Sequence, residues 1–192
     1  GRINLVYRAD SRGRILTEMS IVRKGDADFT LITAASAQWH DGELLKNNLA
    51  DGLSLVDRTL DVNTFIVTGP KSRDLLATMT DADLSLGWLT HQDATVAGKA
   101  VRLLRVSFAG EMGWDVHAPI DVAAGIYNAI IDAGAKPFGM YALDSLRLEK
   151  GYRTWKGELS TDYSLFEGGL ERFVKLDLPQ EFRVMAALFN VK

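Results

Sequence analysis

"YALDSLRLEKGYRTWKGELSTD", residues 141–162, opens as an amphipathic helix and closes as a loop. No helix breaker stands between 141 and 150, and Gly151 sits where a left-handed glycine ends a helix. At about 100° per residue, Met140, Leu143, Leu146 and Arg147 fall on one face. An arginine in an apolar stripe is costly unless a carboxylate or a ligand pairs with it. The plain reading is an internal ion pair to Asp144 on the preceding turn. The alternatives are a partnership with Glu111 or with an anionic ligand.

Outward from this helix, strands run in pairs with helices set between the pairs. "RINLVYRA" reads as a strand, "DSRG" as a turn and "RILTEMSIVR" as the return strand. Alternation there points Ile15, Thr17, Met19 and Ile21 one way and Leu16, Glu18, Ser20 and Val22 the other. "KGDAD" turns the chain into a third strand, "FTLITAA". Ser36 is the expected cap of a helix through about Leu49, weakened by Gly42. "NTFIVTG" is a strand, and Pro70 is suited to the first position of the helix "KSRDLLATM". "VAGKAVRLLRVSF" reads as a β-ribbon, "AGEMG" as a tight turn and "WDVHAP" as the strand that follows. Asp121 is the expected cap of a helix with Val122, Ile126, Ile130 and Ala133 at helical spacing. The pattern predicts an α+β fold, mainly antiparallel sheet with packed helices, in one domain over 1–192. The chain begins as if already inside a sheet, so a fragment is expected.

Composition narrows the function. The 192 residues are 47% hydrophobic and 24% charged, with net charge -3, which fits a globular protein without a basic stripe for nucleic acid. No apolar run approaches a membrane span and no signal-peptide pattern is present. There is no cysteine, which removes disulfides, thiolate nucleophiles and cysteine-ligated metals from consideration. His40, His91 and His117 lack metal-ligand spacing and read as structural or surface residues, so no metal is expected. No dinucleotide, P-loop or nucleophile-elbow fingerprint occurs.

Two carboxylates stand out. Glu111 lies between Gly110 and Gly113 in a strand–turn–strand. It is either an exposed hairpin acid or a carboxylate held by a rigid turn. A carboxylate so held accepts two parallel N–H bonds from an amidine-like ring edge, such as a pterin offers. Glu18 stands mid-strand, where glutamate is disfavoured. It is either an edge or ion-paired residue, or a partly buried proton acceptor and cation stabiliser.

Three stretches together carry a resemblance. "RVSFAGEMGWDVHAP" is similar to R-x-S-Y/F-x-G-E-x-G-W/Y/F-E-L/I/V, with Asp115 at the second acid. "GMYALDSLRLEKGYRTWKGELSTDYSLFEGGLERFV" is similar to A-x-D-S-L-R-L-E-x-G followed by W-x-x-D/E and Gly-Leu. "GRILTEMSIVR" is similar to the strand that bears an acid in the same family. The chain thus resembles the aminomethyltransferase folate-binding family, which includes the glycine cleavage T-protein and the C-terminal halves of dimethylglycine and sarcosine dehydrogenases. The wording of the second stretch is nearer the dehydrogenase-associated branch. A third branch, in Fe–S assembly, uses a cysteine that this chain lacks.

The resemblance implies a folate-binding domain, incomplete here, with a further N-terminal segment and a C-terminal barrel. It implies transfer of a one-carbon unit from a glycine-, sarcosine- or dimethylglycine-derived amine to tetrahydrofolate. The alternative is a non-catalytic folate-binding module of a flavin-dependent dehydrogenase. By position, Glu111 matches the glutamate at the pterin edge, Arg147 the arginine by the folate, and Glu18 the active-site aspartate, one methylene longer. Thr30, Ile32 and Ala34 fall where folate-lining residues lie. The barrel-entry pattern appears as "EFRVMAAL", with Val184 in the glycine position. Expected partners are folate, a small amine, and an FAD-containing oxidoreductase domain or a lipoyl carrier protein, with no nucleic acid and no membrane. The expected compartment is the cytoplasm, or the mitochondrion in a eukaryote.

Overall fold

Asp10 turns the chain back on itself. Its Oδ1 accepts the backbone N–H groups of Arg12 at 2.8 Å and Arg14 at 2.9 Å, and Gly13 takes a φ of 79°. The reversal joins β1 (Arg2–Ala9) to β2 (Ile15–Arg23). The next strand, β3 (Phe29–Ile32), lies antiparallel to β2, with Ser20 opposite Ile32 and Val22 opposite Thr30. The sheet order is β1-β2-β3, so Glu18 sits on the central strand.

The computed structural model describes residues 1–174; the stretch "EFRVMAAL" lies outside the described residues. Packing divides the chain into two units. One comprises Gly1–Ile3 and Val56–Tyr152; the other comprises Asn4–Leu55 and the described residues from Arg153 onward.

The three-stranded sheet, apart from the first two residues of β1, belongs to the second unit. There Ile15 packs with Ala37, Trp155, Leu159, Leu165 and Leu170, and Tyr7 and Phe173 border the cluster. A short 3-10 turn, Ala35–Ala37, leads into α1 (Gln38–Lys46). Ser36 falls inside that turn, so it does not cap α1; Ala37 does, without a side-chain bond.

The other unit holds a four-stranded antiparallel sheet, order β4-β7-β6-β5. Its strands are β4 (Val62–Thr68), β5 (His91–Val96), β6 (Lys99–Leu104) and β7 (Gly113–Pro119). The helices are α2 (Ser72–Ala77), α3 (Ile120–Asp132) and α4 (Met140–Lys150). Val67, Val101, Leu103, Trp114, Val116 and Ala118 from the strands pack against Leu76, Ala123, Ile126 and Ile130. Apolar residues on alternate strand positions and at i, i+3, i+7 on α3 account for this core. The ribbon expected to start at Val96 begins earlier, at His91, because the polar stretch "HQDATV" pairs with β6 along its whole length. Pro70 precedes α2 by two residues, and the helix begins where the Ser72 hydroxyl binds the Gly69 and Met112 carbonyls. Asp121 lies inside α3, because β7 runs straight into the helix with Pro119 at the cap. Among the described residues no helix is long and apolar enough to cross a membrane.

Candidate active site

Glu18 is half-buried on β2. Its carboxylate accepts a hydrogen bond from the Tyr7 hydroxyl and one from the backbone N–H of Trp155. Burial raises its proton affinity above the ordinary carboxylate value, and the two hydrogen bonds only partly offset this. Burial, then the adjacent Glu18 charge, pushes the Tyr7 phenol above its usual value, so it remains a donor near neutrality. By strand alternation and the β2–β3 register, Thr30 and Ile32 share the Glu18 face of the sheet. Glu18, Thr30 and Ile32 therefore share one sheet face, with Ile32 opposite Ser20 and Thr30 further along opposite Val22, and Tyr7 joins Glu18 directly. Thr17, the neighbouring position, points to the other face and is fully buried.

Arg147 and Glu111 belong to the other unit. Arg147 is 5% exposed. Its Nε donates to Asp144 Oδ1 at 2.9 Å and its Nη1 to the Tyr152 carbonyl at 2.9 Å. The guanidinium also lies over the Phe108 ring at 5.9 Å, and Phe108 stacks on Tyr152 at 6.5 Å. The "SFAGEMG" turn is thus seated on the end of α4. Gly110 makes this possible: its φ is 79°, and a Cβ there would lie 2.5 Å from Lys150 Cβ. Gly113 is equally confined, with Thr68 Oγ1 3.0 Å and Ser107 Cβ 3.2 Å from the position of a Cβ. The two glycines of the motif are requirements of packing. Glu111 between them is exposed and forms no ion pair with the described residues.

Two groups that sequence reasoning passed over share β7. Asp115 has Ile66 and Leu104 as its cross-strand neighbours. Burial against them raises its carboxyl to about 7, and no hydrogen bond from the described residues compensates it. His117 stands two residues on, opposite Thr64 and Arg102. Burial and the Arg102 charge lower it to about 4, and its buried Nε2 has no partner among the described residues. The signal was present in "WDVHAP": polar residues at alternate positions of a strand whose other face is wholly apolar. His117 Nε2, buried and without a partner among the described residues, is the kind of group whose hydrogen bonding a ligand completes. Among the described residues no cluster of His, Asp and Glu side chains is arranged to hold a metal ion.

Comparison with known proteins agrees with the motifs. Residues 1–178 match the family described as the GCVT N-terminal domain. The chain is 31% identical over 202 aligned positions to mitochondrial dimethylglycine dehydrogenase of Homo sapiens, covering 100% of this chain and 23% of that protein. It is 32% identical to the aminomethyltransferase of Saccharopolyspora erythraea, covering 95% of this chain and 51% of the relative. The chain therefore spans about a quarter of such a dehydrogenase and about half of such an aminomethyltransferase. The crystal structure of glycine cleavage system aminomethyltransferase T from Bartonella henselae superposes with a TM-score of 0.85 at 21% identity, over 98% of this chain and 52% of that one, and so shares the fold. The α+β architecture, the glycine-framed turn seated on α4 and the match along 1–178 lead to one assignment: the chain belongs to the GCVT N-terminal domain family, the aminomethyltransferase family that its motifs resemble.

Proposed function

We propose that the chain is a tetrahydrofolate-dependent aminomethyltransferase-type domain. It moves a one-carbon unit to tetrahydrofolate from an amine of the glycine, sarcosine or dimethylglycine class. The observation that carries this reading is Glu18, a half-buried carboxylate of raised proton affinity, fixed by Tyr7 and by the Trp155 N–H on a central strand. Family membership supports the reaction type, and similarity to dimethylglycine dehydrogenase supports the amine class.

Tetrahydrofolate supplies two nitrogens that take up the carbon as a 5,10-methylene bridge. From an iminium donor the change releases two N–H protons; one leaves with the amine and the other needs an acceptor. Glu18 is that acceptor, poised because burial has made its ionised form avid for a proton. Tyr7 and the Trp155 N–H hold the carboxylate in one orientation. Thr30 and Ile32 line the same sheet face, and Arg147 keeps the motif turn in place through Phe108.

For the pterin edge two carboxylates compete. Glu111 is expected from the motif, yet it is exposed, and water competes for its charge. Asp115 meets the physical requirement better. It is half-buried with a raised proton affinity, no hydrogen bond to it is seen among the described residues, and two parallel N–H bonds from an amidine-like edge would restore its ionised form. An FAD-containing domain or a lipoyl carrier would deliver the donor, in the mitochondrion of a eukaryote or otherwise in the cytoplasm.

Calorimetric titration of tetrahydrofolate into the full-length protein tests the site. Asp115→Asn is expected to weaken binding about 100-fold, the cost of losing one partner of a charge-assisted pair, and Glu111→Ala to weaken it less. The reverse order would return the pterin edge to Glu111. Absence of binding to the wild type would contradict the folate reading altogether. A second reading, a folate-binding module without chemistry, draws on one feature: a glutamate stands at the position of the family aspartate.

A further inference from the structure

Two arginines stand at the rim of the Glu18 site, and nothing so far uses them. The Arg172 guanidinium lies over the Phe173 ring at 4.7 Å. Phe173 packs on Tyr7, with ring centroids 5.0 Å apart at 59°. Tyr7 is the donor to Glu18. The second arginine, Arg153, is two residues before the Trp155 N–H that also binds Glu18. Its guanidinium rests on Gly169: a Cβ there would meet Nη2 at 2.9 Å and Nη1 at 3.0 Å. Gly169 has a φ of 64°, a conformation suited to glycine, and glycine also leaves the space the guanidinium fills. Both arginines act electrostatically on the same Tyr7 hydroxyl.

Neither arginine has a carboxylate partner among the described residues, although Glu171 is adjacent to Arg172 in sequence. The plain reading is two solvated surface charges. Against it, each guanidinium is planted on its own support, a ring or a bare glycine, and both bear on one side chain. Arg153 rests on Gly169, three residues before Arg172 in the chain, and a planar guanidinium fork matches a carboxylate.

We infer that Arg153 and Arg172 form a carboxylate-binding subsite at the rim of the Glu18 site. The inference rests on the folate reading above, because that reaction brings two carboxylate-bearing molecules: tetrahydrofolate, through its glutamate tail, and an N-methylated glycine. Arg153 and Arg172 bind and orient the carboxylate; they take no part in proton transfer.

The test is a set of calorimetric titrations on the full-length protein and on Arg153→Gln, Arg172→Gln and the double variant. Tetrahydrofolate is compared with tetrahydropteroate, which has the same rings and no glutamate. Dimethylglycine is compared with trimethylamine, which has the amine and no carboxylate. The expected result is a 10- to 100-fold loss in the double variant confined to the carboxylate-bearing member of one pair, and that pair names the source. Arg→Lys substitutions, keeping the charge without the fork, should lose less than Arg→Gln. Equal losses in both members of each pair would show a purely structural role and overturn the proposal, as would no loss for any ligand. If the wild type binds tetrahydrofolate and the arginine variants bind all ligands normally, only this inference falls. If the wild type binds none of the four, the folate reading falls and takes the subsite with it.

Discussion

At the scale of single residues, three side chains answer to different forces. Glu18 is shaped by burial and by two donors, and the donors can be removed one at a time. Tyr7→Phe deletes the hydroxyl that favours the ionised carboxylate, so the Glu18 proton affinity rises further. The acid limb of the pH profile of kcat/KM should move to higher pH, with transfer lowered about 10-fold from lost orientation. An unmoved limb would detach Tyr7 from the chemistry. Arg147 answers to burial of charge. Its ion pair with Asp144 and its bond to the Tyr152 carbonyl compensate a guanidinium that is 5% exposed. Asp144→Ala removes the carboxylate and leaves that charge less compensated; a loss of about 2–4 kcal/mol is expected in urea denaturation, on the low side for a buried pair because Asp144 is half-exposed. The helical wheel showed that Arg147 was out of place but not which partner would claim it. A spacing of three residues allows the Asp144 pair, whereas the Tyr152 carbonyl becomes available only after Gly151 turns the chain left-handed at φ 76°.

At the scale of elements, β7 is the most informative strand. Asp115 and His117 titrate in opposite senses. Between about pH 4 and 7 the folded state keeps a proton on Asp115 that the unfolded chain has released, so this group lowers stability as pH rises. Between about pH 6.5 and 4 the unfolded chain protonates its histidine while the folded His117 stays neutral, so this group lowers stability as pH falls. The two slopes oppose one another across the shared window. Asp115→Asn should therefore give a stability that rises with pH from about 4 to 6.5, and His117→Gln one that falls from about 4 to 7. Each slope is bounded by about 1.4 kcal/mol per pH unit. Urea midpoints at successive pH values decide it, and identical pH curves for wild type and both variants would contradict the burial of these groups. Glycines divide in the same way. Gly110→Ala is opposed by a positive φ and by Lys150, and should cost about 2 kcal/mol or more. Gly42→Ala, inside α1 with open space around its Cβ, should instead raise stability by about 0.5–1 kcal/mol. Strands of alternating pattern and the α4 cap were legible in the sequence. Caps at Ser36 and Asp121 were not, because the chain entered those helices through a 3-10 turn and a strand end.

At the scale of the whole molecule, the family and its α+β fold were legible because the diagnostic stretches are long and their glycines, Gly110 and Gly113, are required by packing in this chain. Glu18, the proposed proton acceptor, was legible as a misfit, a glutamate among strand formers. Its hydrogen-bond donors were not, since Tyr7 and Trp155 lie far apart in sequence and only the fold brings both to Glu18. Asp115 was hidden by Glu111, which sits in the more recognisable part of the same motif. What distinguishes a transferase from a folate-binding module is whether Glu18 moves a proton. The most direct measurement is the single-turnover rate of 5,10-methylene-tetrahydrofolate formation by the full-length protein and its Glu18→Gln variant, with tetrahydrofolate affinity measured on the same samples. Glutamine keeps the length and can still accept from Tyr7, but it takes up no proton. Unchanged affinity with a rate lowered about 100-fold or more is the expected result; an unchanged rate would contradict catalysis by Glu18 and leave the chain a binding module.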